Sequence, residues 1–179
     1  MTPAQAGAVL NFWFSRGRDD WWRPDPAFDE EIRKHFLTLW EVEREHPPEH
    51  FLAGPDTALA AVILFDQFPR NMFRGHADQF ATDPLALAVA KGAVERGFDD
   101  GMTSERRGFL YMPFQHSEDL ADQRRSLLLF TALGDAEQLK YARLHHDVIE
   151  RFGRFPHRNR MLGRKPTALE EAAGEVVPW

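Results

Sequence analysis

Three stretches of the chain carry polar side chains in patterns that chemistry can use. The first is Asp66-Gln67-Phe68-Pro69-Arg70-Asn71, with Arg74 shortly after. Asp66 and Gln67 follow an almost wholly apolar run, which places them near the interior. Pro69 is expected to force the chain out of the helix. Arg70 and Asn71 then stand on a fixed turn beside the last helix carbonyls, where donors are favoured. A guanidinium binds carboxylate or phosphate bidentately, so Arg70 and Arg74 are candidate anion binders. Gln67 and Asn71 would supply oriented hydrogen bonds. The same residues also admit a structural role, with Arg70 pairing with Asp66 and capping helix carbonyls.

The second stretch is Arg151-Phe152-Gly153-Arg154-Phe155-Pro156-His157-Arg158-Asn159, followed by Arg160, Arg164 and Lys165. Five arginines fall within fourteen residues of an acidic protein. Its Phe-Pro-His-Arg-Asn run echoes Phe68-Pro69-Arg70-Asn71, and each follows an apolar helix. The echo is too short to establish a repeat. If the two turns meet in space they form a local cationic pocket, which draws an anion despite the negative net charge. Arg154, His157, Arg158 and Asn159 are its candidate ligand-binding residues. The alternative is a solvated basic surface offset by Asp147 and Glu150.

The third stretch is Phe114-Gln115-His116-Ser117-Glu118-Asp119. Ser117 reads as a helix N-cap, with Glu118 and Asp119 complementing the positive end of the helix dipole. His116 is a candidate general acid or base, oriented by Asp66 or Glu118. A structural His116 is the competing reading.

Other chemistries find no template. His145 and His146 are adjacent and point about 100° apart on a helix, so they do not easily share one ion. A metal site would need His116, one of that pair and a carboxylate from separate helices; no metal and no cofactor are expected. There is no Gly-x-Gly-x-x-Gly, no Walker loop and no Gly-x-Ser-x-Gly elbow. Trp13, Trp21 and Trp22 suit either a ligand groove or the core.

The elements that must position these residues are helices. Thr2-Pro3 and Asp25-Pro26 are N-cap and first-turn pairs. The first helix presents Val9, Leu10, Trp13 and Phe14 on one face, and Gly17 can stop it. The second spaces Phe28, Ile32, Phe36, Leu39 and Trp40 at helical period and ends at Pro47-Pro48. A third runs from Asp56 to Pro69, a fourth from Asp83-Pro84 to near Gly97, and a fifth from Thr103 or Ser104 to Pro113. Ser117 starts a sixth that reaches Gly134. Asp135 starts a seventh that ends at Gly153. Thr167-x-x-Glu170 is a capping box for a last short helix. No segment alternates like a strand. The expected fold is one all-α domain spanning 1–179, with short connections and antiparallel neighbours.

Composition agrees. The chain has 179 residues, 22 Lys+Arg against 28 Asp+Glu, a net charge of −6 and no Cys. Fifteen Phe and five Trp argue against disorder. The absence of Cys excludes disulfides, thiolate metal sites and cysteine nucleophiles. The acidic balance disfavours nucleic acid and anionic membranes as partners. No basic leader with an apolar core opens the sequence, and no apolar run reaches the ~20 residues of a span. A cytoplasmic protein is expected.

Five blocks now point to a family. Phe12-Trp13-Phe14, Asp66 to Asn71, Phe80-Ala81-Thr82-Asp83-Pro84-Leu85-Ala86, Tyr111 to Asp119 and Phe152 to Asn159 occur in the order seen in bacterial domain of unknown function 924. The chain resembles that family from Val9 to about Glu171. Gln115 stands where the family usually has Met, and Lys165-Pro166-Thr167 where it favours Ser or Thr. The resemblance implies a tetratricopeptide-like stack of antiparallel helix pairs and supplies no activity. From the residues, the preferred expectation is a binding protein for a small anionic metabolite or an acidic peptide group. The first alternative is an enzyme with His116 as acid/base and the arginines stabilising negative charge. The second is a protein-interaction adaptor that uses Trp21 and Trp22.

Overall fold

Most helix starts follow from local chemistry that satisfies otherwise orphaned N–H groups. The structure, a computed structural model, describes residues 1–174. Helix α1 (Pro3–Phe14) begins with a capping box: Thr2 accepts from the Gln5 N–H, and the Gln5 side chain accepts from the Thr2 N–H at 2.7 Å. Helix α2 spans Arg18–Trp22. Helix α3 (Pro26–Glu43) is capped by Asp25, which accepts from Ala27 and Phe28. It buries Phe28, Ile32, Phe36 and Trp40, the face its periodicity predicts. Helix α4 (Pro55–Val62) leads into a π-helical turn over Ile63–Gln67, then into α5 (Phe68–Met72). Helices α6 (Asp83–Glu95), α7 (Ser104–His116), α8 (Leu120–Leu133), α9 (Ala136–Phe152) and α10 (Ala168–Ala173) complete the order. The described residues contain no strand, so the chain is all-α as expected.

Several boundaries differ from the sequence reading. Gly17 has φ −77° and stands at the start of α2, which periodicity did not reveal. Pro69 does not end its helix; the chain widens to π geometry before it and continues helically. Pro113 lies inside α7, which runs on to His116. Asp119, not Ser117, caps α8 by accepting from Ala121 and Asp122. Ser117 instead accepts from the Asp119 N–H and donates to Asp122 Oδ2 at 2.8 Å.

The chain forms two compact units, Met1–Pro113 and the residues from Phe114 onward. The first has an aromatic core. Trp13 stacks on Trp21 and meets Phe68 and Phe109 edge-on, and Phe36 and Phe68 lie 4.7 Å apart. Each such buried ring stabilises by roughly 1.5–3 kcal/mol. In the second unit α8 packs on α9, joined through Gly134 (φ 78°) and the N-cap Asp135. So short a connection makes the two neighbours antiparallel. Gly153 (φ 70°) ends α9 in the left-handed conformation that glycine adopts without strain.

Candidate functional site

The π turn explains how Asp66 and Gln67 become interior polar residues. Pro69 has no N–H, and its ring would collide with the carbonyl four residues earlier in a regular α-helix. The π turn relieves this: the Phe68 N–H reaches back to Ile63 O. The Phe65 carbonyl takes the Thr82 hydroxyl at 2.7 Å instead. Thr82 in turn accepts from Trp40 Nε1 at 3.1 Å. Both Asp66 and Gln67 are buried.

The polar side chains of this turn grip carboxylates of their own unit. Gln67 Nε2 donates to Asp66 Oδ2 at 2.5 Å and lies 3.3 Å from Met112 Sδ. Arg70 forks onto Asp83 at 2.9 and 3.0 Å, donates to the Asp66 carbonyl and lies 3.4 Å from Asp66 Oδ1. Burial alone would lower the Arg70 pKa, but Asp66 and Asp83 together hold it above the ordinary value. Asn71 and Arg74 both donate to Asp29, in the first turn of α3, at 2.8–2.9 Å.

The second turn repeats this scheme. Pro156–Arg158 forms a 3₁₀ turn, with Phe155 fully buried before it as Phe68 is before Pro69. Asn159 donates to Glu170 Oε2 at 3.2 Å, and Arg154 binds both Glu170 oxygens at 2.9 and 3.3 Å. Glu170 also accepts from the Thr167 N–H at 2.6 Å, closing the predicted capping box. Burial would raise the Glu170 pKa, and these donors hold it below the usual range. The echo in sequence extends to the asparagines, Asn71 on Asp29 and Asn159 on Glu170, but not to the arginines, since Arg70 forks onto Asp83 and Arg158 donates to a backbone carbonyl. At each turn the Asn and an arginine just outside it, Arg74 after the first and Arg154 before the second, clamp a carboxylate at a helix start.

Glu118 is committed in the same manner. It accepts from the Phe155 N–H at 2.8 Å and takes the Arg164 guanidinium at 2.6 and 3.0 Å. Burial opposes ionisation, but the donors from Arg164 and Phe155 keep its carboxyl below the ordinary range. Glu118 thereby ties the Phe155 backbone to Arg164.

What the second unit gathers around Phe155 is a basic cluster. Arg158 is buried, lies 4.5 Å over the Phe155 ring and donates to the His116 carbonyl at 3.0 Å. The rings of His145 and His116 are 5.8 Å apart. His145 and His157 each lie 5.6 Å from Phe155. Burial, then the charge of His116, pushes the His145 pKa down to about 2. Burial, then Arg158, pushes His157 down to about 4. The sequence offers His145 only as one of a pair of possible metal ligands; its place four residues before Ile149, on the buried face of α9, is the signal that sets it in the interior. Asp29 and Asp83 gave only the signal of an acid at a helix start. Asp66, Gln67, Arg70, Asn71 and Arg74 belong to the first unit. His116, Glu118, Arg154, His157, Arg158 and Asn159 belong to the second.

No helix among the described residues is long and apolar enough to cross a membrane. No curated protein matches the chain. A solved protein of unknown function from Agrobacterium tumefaciens, ATU0120, is similar to it at 41% identity, over 97% of this chain and 98% of that one, with a TM-score of 0.88. The profile described as bacterial protein of unknown function (DUF924) matches residues 9–173. Block order, helical architecture and this match agree, and the chain belongs to the DUF924 family of bacterial proteins of unknown function.

Proposed function

We propose that the protein binds a small oxyanion, a phosphate or carboxylate group of a metabolite, at the basic cluster of the second unit. The observation that supports this is the gathering of His145, His157 and Arg158 around the buried Phe155 ring, with the His116 ring 5.8 Å from that of His145. Arg158 supplies a permanent positive charge from a buried position. His116 and His157 are half-buried and within reach of a ligand. Arg154 and Asn159 act at one remove, because with Glu170 they fix the loop that carries His157 and Arg158.

Burial, then the charge of Arg158, disfavours protonation of His157, and a bound anion offsets that charge. The test is an NMR titration of the histidine ring protons with and without inorganic phosphate. Phosphate should raise the His157 pKa from about 4 toward the ordinary histidine value. A His157→Gln variant should bind phosphate several-fold more weakly. Histidine signals unmoved by saturating phosphate, sulfate and citrate would defeat the reading.

A further inference from the structure

The first unit holds a second group of metal-competent side chains, remote in sequence from the turns above. Glu43 is the last residue of α3, His46 follows in the turn, and His50 lies in the 3₁₀ turn Pro48–Phe51. Their candidate ligand atoms all lie within 4.8 Å of one another. The two imidazoles stack with centroids 4.2 Å apart. His50 Nε2 is 3.5 Å from Glu43 Oε2. That spacing is close to the ~3.4 Å edge of a tetrahedron with metal–ligand bonds of about 2.1 Å.

We propose that Glu43, His46 and His50 form a binding site for a divalent transition-metal ion. A second observation points the same way. Glu43 is buried, yet its Oε2 accepts no well-directed hydrogen bond. A buried carboxylate is costly unless a cation or donors meet it. A cationic group does meet it: the Met1 nitrogen lies 2.8 Å from Oε2 and against His50 Nε2. The Met1 ammonium thus stands where carboxylate and imidazole converge, and a metal ion bound by these three side chains takes its place. Both histidines are exposed.

The backbone prepares the arrangement. The His46 N–H donates to Glu43 O and the His50 N–H to Pro47 O, at 3.1 and 3.0 Å. Pro47 and Pro48 fix φ between the two histidines, so little chain entropy is lost when an ion binds. The His50 ring is held edge-on by Phe51, which is fully buried. Two imidazoles and one carboxylate suit zinc, nickel, cobalt or copper, whereas magnesium and calcium demand all-oxygen shells.

Calorimetric titration of the full-length protein with zinc chloride tests the site. One ion should bind per chain. His46→Ala and His50→Ala should each weaken binding at least about tenfold, as even outer-shell changes do at metal sites. These two side chains are exposed, so their removal leaves the core intact. Glu43→Gln, which keeps the side-chain volume, should weaken binding as well. His146, Asp147 and Glu150 form a separate, more solvated group on α9 and serve as the control. His146→Ala should leave the affinity unchanged. Equal affinity in wild type, His46→Ala and His50→Ala would overturn the site. So would the absence of saturable binding, or loss of binding in His146→Ala alone.

Discussion

Single side chains in this protein do their work through carboxylates. Asp29, Asp83, Glu118 and Glu170 each take at least one arginine, and two of them also take an asparagine. Glu170 is the most consequential, since it joins α10 to the Phe155–Asn159 turn while closing its own helix cap. Glu170→Ala leaves Arg154, Asn159 and the Thr167 N–H without their shared acceptor. The expected cost is about 1.5–3 kcal/mol, read as a lower urea midpoint at unchanged slope. Phe155 is the other pivot, fully buried beneath Arg158 and beside two histidines. Phe155→Leu should weaken phosphate binding through loss of the ring that orders the basic cluster, while an Arg158→Lys variant keeps the charge but loses the directed bond to His116 O. Calorimetry with phosphate on both variants checks this. Wild-type affinity in Phe155→Leu would detach the ring from the site.

At the scale of the element, the π turn over Ile63–Gln67 is the feature with most explanatory reach. It exists because Pro69 neither donates nor fits an α register, and Thr82 replaces the missing donor at Phe65 O. Thr82→Val should cost about 1–3 kcal/mol, since it leaves a buried carbonyl without its donor and Trp40 Nε1 without its acceptor. In a Pro69→Ala background the restored N–H can serve that carbonyl. The penalty of Thr82→Val should then shrink, and a double-mutant cycle by chemical denaturation should show coupling of about 0.5–3 kcal/mol. Additive penalties would separate the proline from the threonine. Proline position was legible in the sequence, but its consequence was not. A proline is read locally as a stop, and it becomes a register change only where a second element supplies the replacement donor. Thr82 does so from 17 residues away.

The whole molecule answers to pH through its depressed histidines. His145 and His157 stay neutral in the folded chain down to about 2 and about 4, whereas in the unfolded chain they titrate near 6.5. As pH falls below about 6.5 the unfolded state takes up protons that the native state refuses. Stability present above that value is therefore lost between about 6.5 and 4 for His157, and further toward 2 for His145. Thermal melts from pH 7.5 to 4.5 should show a falling midpoint. His157→Gln should flatten the upper part of that slope, and phosphate should flatten it in the wild type by favouring the imidazolium in the folded state. A slope unchanged in His157→Gln would assign the acid sensitivity to other groups.

By itself the sequence determined the helices, because their causes are local. Thr2-Pro3, Asp25-Pro26, Asp135 and Thr167-x-x-Glu170 all cap as read, and the Phe28–Trp40 spacing finds its buried face. The family was legible for a related reason, since its five blocks are runs of contiguous residues. Tertiary structure decided the partners. Which carboxylate each arginine meets depends on elements brought together over 13 residues for Arg70 and Asp83, 45 for Arg74 and Asp29, and 46 for Arg164 and Glu118. It also decided that His46 and His50, divided by two prolines and outside any α-helical pattern, meet Glu43. Caps and amphipathic faces are set by neighbours along the chain. Ion pairs and ligand sites are set by neighbours in space, and only the packed fold brings those charges within bonding distance.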